Sequence, residues 1–234
     1  MKYVTIQYKD IVPWGRNFDE YSRMFDLNAS ELCLQILGCG DGPASFNFEC
    51  NQRGGHVTSI DPLYCFSLET IQKRIAETYE EVLSQTRTHQ DKFVWDIISS
   101  PDELGQIRME AMRRFLDSYE AGKLDNKYIP GELPVLPFPD RSFDLALSSH
   151  FLFLYTDNLT FDFHLASIRE MLRVAHEVRI FPLLDVNANE SRYLHGVLES
   201  FKEYLPEIRK VNYEFQLGGN KMLILKNAER KIEL

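Results

Sequence analysis

The 234-residue sequence has no stretch approaching the roughly 18 uninterrupted apolar residues that a membrane-spanning helix requires, and its start, MKYVTIQYKD, lacks the apolar region of a signal peptide. Those absences point to a cytoplasmic protein with no membrane partner. Cysteine is sparse as well: Cys33, Cys39, Cys50 and Cys65 form no CxxC pair and have no histidine at metal-ligand spacing. Neither a zinc site nor a disulfide framework is suggested, so reduced thiols and no metal are expected. Lys and Arg are outnumbered, leaving a formal net charge of −9, which argues against non-specific binding to nucleic acid or anionic lipid. The one basic run, Arg108, Arg113 and Arg114, is interleaved with Glu103, Glu110 and Asp117 and reads as a solvated helix face. Low-complexity tracts are absent too. With 44% hydrophobic and 26% charged residues, the chain has the composition of an ordinary globular protein, and its length suits one α/β domain over 1–234.

What stands out against this background is LQILGCGDG, Leu34 to Gly42. An apolar run of strand character stops at Gly38, Gly40 and Gly42, and Pro43 opens a segment that can be helical. A strand, a tight turn and a helix start follow one another. Glycines permit positive φ and close approach of a ligand to the main chain, and a helix N-terminus offers unpaired N–H groups.

Residues 1–15 give no clear assignment. Phe18, Tyr21, Met24 and Phe25 at helical spacing predict a leading helix over 17–31, placed to cover the ligand site. After the turn come a short helix from Ala44 to Asn51, a strand in HVTSIDP, and Asp61, 19 positions beyond Gly42. In a doubly wound sheet that spacing puts a carboxylate beside the glycine turn, where it can accept from both hydroxyls of a ribose. Two helical patterns then occupy the place of one, marked by Ile71, Ile75, Tyr79 and Val82, and by Leu104, Ile107, Ala111, Phe115 and Tyr119. Residues 91–126 are therefore expected to be a helical insertion, either a lid or an extra helix packed on the sheet.

A short strand at Tyr128 and Ile129, a proline-rich loop, a buried strand FDLALSS, a helix through Leu165 to Ala175, a strand VRIFPLL and a helix from Leu194 to Leu205 follow. The chain closes with YEFQLGGNKMLILK, two β-rich runs around Gly218 that read as a hairpin. Strands alternating with helices and ending in a hairpin give a largely parallel sheet with an antiparallel last strand.

In this order the glycine turn, Asp61 and LPFPDRSFDLALSS resemble the class I S-adenosylmethionine-dependent methyltransferases, most closely a branch with an LPFPDxSFD-type fourth motif. The resemblance covers roughly residues 30–226. It implies a doubly wound, seven-stranded Rossmann-like sheet and S-adenosylmethionine as cofactor. Carried over, Gly38, Cys39, Gly40 and Gly42 pass under the methionine and ribose portions, and Asp61 holds the ribose diol. Glu132 faces the adenine amino group, Leu133 offers its backbone N–H to the ring, and Ser148 and Ser149 flank the sulfonium. One position departs from the pattern: Ile36 stands where the family usually has an acid. Asp41 is the nearest replacement, and Arg16 or Tyr21 can hold the cofactor's carboxylate.

His150, directly after the fourth strand, is the candidate general base for a protonated acceptor. Its structural reading is a histidine under an aromatic wall formed by Phe151, Phe153 and Tyr155, which alternate as in a strand extension. Arg179 lies inside a predicted strand, with Glu177 as its partner. The remaining histidines are scattered. The leading expectation is a methyltransferase acting on a small-molecule acceptor. A non-catalytic cofactor-binding protein on the same fold stays open because of Ile36. A nicotinamide dehydrogenase is disfavoured, because Pro43 stands where GxGxxG needs its third glycine and no Tyr-x-x-x-Lys pair follows the fourth strand.

Overall fold

The computed structural model describes residues 12–227. The strands are β1 (Gln35–Cys39), β2 (His56–Asp61), β3 (Tyr128–Pro130), β4 (Phe143–Ser149), β5 (Ala175–Phe181), β6 (Glu207–Lys210) and β7 (Lys221–Lys226), and the helices are α1 (Phe18–Met24), α2 (Phe46–Gln52), α3 (Leu68–Thr88), α4 (Pro101–Leu124), α5 (Phe161–Val174) and α6 (Leu194–Ser200). They build one seven-stranded sheet in the order β3-β2-β1-β4-β5-β7-β6. Every pairing among β1 to β5 is parallel, and β7 runs antiparallel to both β5 and β6. This is a doubly wound, Rossmann-like sheet with an antiparallel strand β7, as the sequence predicts.

Burial explains why the central strands read as unbroken apolar runs. Side chains alternate across a strand, and here both faces are covered. On β1 Ile36 faces α1 and α2 while Leu37 faces α5 and α6; on β4 Leu145 and Leu147 take the first face and Ala146 the second; on β7 Met222 and Ile224 oppose Leu223 and Leu225. The order reverses between β1 and β4, so β1 has β2 on one side and β4 on the other. A ligand crevice opens at such a point, beyond the C-terminal strand ends.

Several boundaries differ from the sequence reading. The leading helix stops at Met24, because Asp26 adopts φ 48°, and the chain reaches β1 through a 3-10 turn, Glu31–Cys33. The second helix starts at Phe46 rather than Ala44, since Ser45 is its N-cap. Leu205, at φ 49°, lies beyond the last helix, which ends at Ser200. The closing hairpin takes its first strand from EIRK, not YEF; 211–220 form the connection. Within 91–126 the helix occupies Pro101–Leu124, opened by Ser100, which accepts from the Glu103 N–H. It packs with α3 and β3 around Tyr64, Phe115, Tyr119 and Tyr128.

Two buried arginines fix α1. Arg108, expected on a solvated face, is wholly buried on α4, and its Nη1 donates to Glu20 at 2.6 Å. Glu20 also accepts from the Tyr213 hydroxyl at 2.9 Å and closes the capping box with Asn17. The guanidinium holds this carboxyl below its usual range despite the opposing effect of burial. Arg179 of β5 donates to Glu177 at 2.6 Å, to the Phe25 carbonyl at 2.6 Å, and to Glu31. Removing one partner of a buried pair strands the other charge. Glu20→Ala should therefore cost about 3–5 kcal/mol of stability, read as a lower midpoint of urea unfolding at an unchanged slope.

Candidate functional site

The turn after β1 is built around a carboxylate. Asp41 folds back over Gly38, where a Cβ would lie 1.8 Å from Asp41 Oδ2. It accepts from Tyr21 Oη at 2.7 Å and from Ser59 Oγ at 2.5 Å, tying the turn to α1 and β2. Gly40 turns the chain at φ +72°, and a Cβ there would meet the Phe151 ring at 3.0 Å. Two of the turn's amides are engaged: Gly40 N–H donates to the Ile60 carbonyl at 2.9 Å, and Gly42 N–H to Asp61 Oδ2 at 2.8 Å. Asp61 Oδ1 accepts from Leu63 N–H at 2.7 Å.

Around this turn lies a cavity of about 470 Å³. Of the residues expected to bind a cofactor, Gly40, Gly42, Asp61, Glu132 and Leu133 line it, together with Arg16, Tyr21, Asp41, Ser149 and His150. Gly38 lies beneath Asp41. Cys39 and Ser148 do not line the cavity. The Cys39 thiol is in the hydrophobic core, where burial raises its pKa well above the usual value, and Ser148, fully buried, stands on the α5 side of β4 with no partner for its Oγ among the described residues. It is Ser149, one residue on, that faces the ligand side. Ile36 of β1 is a core residue packed with side chains of α1 and α2, a surrounding that does not accommodate an acid.

Burial pushes Asp41 and Asp61 up to about 6, against the lowering effect of their hydrogen-bond donors. Three carboxylates, Asp41, Asp61 and Glu132, thus share the cavity wall with two arginines, Arg16 and Arg74. Burial lowers Arg16, and nearby Arg108 lowers it further; its Nη1 donates to the Trp14 carbonyl at 3.1 Å and its Nε has no partner among the described residues.

His150 adopts φ +51°, a conformation that non-glycine residues enter at some cost and that clusters at functional sites. Its Nδ1 lies 3.0 Å from Ser149 Oγ, whose hydroxyl points at Met24 Sδ, 4.0 Å away. Burial, followed by Arg16 and Arg108, drives the imidazole pKa well below its usual value, so the ring is neutral at pH 7. The aromatic run after it is not a strand: β4 ends at Ser149, Phe151 lines the cavity, Phe153 is core, and Tyr155 accepts from Val12 N–H at 3.1 Å.

Other cavity residues were not legible in the sequence. Val12, Pro13 and Trp14 precede the first periodic segment, and α3 contributes Thr70, Ile71 and Arg74. The former are held on the turn by Ser45 N–H donating to the Arg16 carbonyl at 3.0 Å, a backbone contact with no residue signature. Helix α4 contributes nothing to this cavity. Among the described residues no cluster of His, Cys, Asp and Glu could hold a metal ion, and no helix is long and apolar enough to cross a membrane.

The seat of Asp41 over Gly38 can be tested by a double-mutant cycle. Gly38→Ala should cost about 1–3 kcal/mol as an overpacking change, and the cost should shrink when Asp41→Ala is already present.

No protein-family model matches the chain. Among solved structures, a SAM-dependent methyltransferase from Aquifex aeolicus shares 14% identity and a TM-score of 0.42, covering 89% of this chain and 88% of that one. A putative S-adenosyl-L-methionine-dependent methyltransferase from Methanococcus maripaludis shares 12% identity and a TM-score of 0.39, covering 84% and 78%. The uncharacterized protein MJ0045 of Methanocaldococcus jannaschii is 36% identical over 227 residues, which span 97% of this chain and 100% of that protein. The chain belongs to the family of MJ0045.

Proposed function

We propose that this protein is an S-adenosylmethionine-dependent methyltransferase acting on a small-molecule acceptor. The observation that carries the reading is the state of the glycine turn. Its Gly40 and Gly42 amides are already bonded to Ile60 and Asp61, so the turn is no phosphate cradle. The wall instead brings together Asp41, Asp61 and Glu132. Such a site disfavours the pyrophosphate of a dinucleotide and suits a phosphate-free, cationic nucleoside.

In this reading Asp61, fixed by two backbone donors, keeps lone pairs for a ribose diol, and Glu132 and Leu133 edge the adenine. Tyr21 and Arg16 stand at the methionine end. When bound, the cofactor supplies an activated methyl group. The protein's share is alignment in a dry pocket, together with a proton acceptor where the acceptor needs one. His150, neutral and in the cavity wall at the end of β4, fills that role.

Two measurements test the proposal. S-adenosylhomocysteine should raise the melting temperature while NAD does not, and Asp61→Ala should weaken its binding by about 1.5–3 kcal/mol, as for a lost charged acceptor. The pH dependence has a defined sign. Asp41 and Asp61 have raised pKa values near 6, and a cationic ligand favours their ionised forms. Affinity for S-adenosylmethionine should therefore rise as pH increases from 5 to 7, with proton release on binding in that window. Asp61→Asn should flatten the profile. Calorimetry in buffers of different ionisation enthalpy reads both effects.

A further inference from the structure

Beside the main cavity lies a second chamber of about 100 Å³, and the two share Val12, Trp14, Arg16 and His150 in their walls. The chemistry changes across that boundary. The main cavity holds three carboxylates, whereas none lines the second chamber. Its walls are aromatic and aliphatic, including Phe93, Phe215, Leu154 and Val186. Two polar atoms of its lining residues have no partner among the described residues: Arg16 Nε, and Oε1 of buried Gln216, whose Nε2 donates to the Asp185 carbonyl at 2.6 Å. An unpaired buried acceptor is costly and marks a place where a ligand donor fits.

We propose that this second chamber seats the methyl acceptor, and that the acceptor is a single-ring phenol whose hydroxyl is presented to His150 and Arg16. The proposal rests on the S-adenosylmethionine reading above. Size sets the first limit: a cavity of about 150 Å³ holds one benzene, so a chamber of about 100 Å³ that adjoins the main cavity admits no more than a single ring. Flat aromatic walls favour an aromatic guest through edge and offset contacts. The absence of a carboxylate disfavours an ammonium acceptor. A neutral imidazole can act as general base toward a hydroxyl, and a phenol, like tyrosine with a pKa near 10, is the hydroxyl that gives up its proton most readily. In the transfer, the phenol oxygen forms the new bond to the methyl carbon, and the electron pair of the broken methyl–sulfur bond stays on sulfur. The phenol proton moves to the His150 imidazole. Arg16, in the wall of both cavities with its Nε–H unpartnered among the described residues, supplies a donor for the negative charge that builds on the oxygen.

The test uses the full chain saturated with S-adenosylhomocysteine and titrated with 4-methylphenol or toluene. The phenol should bind at least tenfold more tightly than toluene, and with S-adenosylmethionine it should yield 4-methylanisole by mass spectrometry. Val186→Phe, which fills the second chamber and lies outside the main cavity, should cut phenol affinity and turnover at least tenfold and leave S-adenosylhomocysteine affinity within twofold. Val186→Leu should shift both in the same direction if the larger change does not fold. Failure of the wild-type chain to bind S-adenosylhomocysteine overturns the cofactor reading itself. Binding of S-adenosylhomocysteine with no binding or methylation of 4-methylphenol, or phenol binding untouched in both Val186 variants, overturns the phenol chamber alone.

Discussion

The hydrogen bond from Gly42 N–H to Asp61 is the constraint around which the site is arranged. It joins the turn after β1 to the end of β2, and it uses an amide that in a phosphate-binding turn would face the ligand. Asp41 makes a matching tie, from the same turn to Tyr21 of α1 and Ser59 of β2. Two acids therefore organise the turn from within, and both remain part of the cavity wall. The rest of the molecule holds the elements that these acids connect. Glu20 and Arg108 fix α1 against α4, while Arg179 fixes the end of α1 against β5.

Much of this was legible in the sequence, because it follows from periodicity and from residues with restrictive backbone preferences. The buried parallel strands, the glycine turn, the position of Asp61 and the antiparallel last strand all leave such marks. The approach of Glu132 and Leu133 to the cavity was read through a family resemblance, and the structure puts both in its wall. Less was legible where a choice between adjacent residues depended on which way a strand faces. Ser148 and Ser149 look alike as a pair, but only the second turns toward the cavity. Cys39 sits in the glycine motif and still points into the core. The YEF run has strand composition, yet its aromatics pack in the connection before β7 and the edge strand is the polar EIRK.

Long-range pairing was the least visible. Arg108 lies in a run of alternating charge that suggests solvent, and nothing local announces a carboxylate 88 positions away on α1. Nor does anything mark Val12 to Trp14 as cavity wall, since their placement rests on backbone bonds to later segments. An isolated charge pattern reports on one helix, whereas burial is decided by what folds onto it.

The contact between Gly40 and Phe151 has a mechanical consequence. The ring lies against the bare backbone of the glycine, and it is attached one residue after His150, at the point where the chain bends through its left-handed conformation. The two halves of the site are meshed like teeth on facing gears. A displacement of the turn after β1 would be transmitted through that ring, across one van der Waals contact, to the backbone that carries the imidazole.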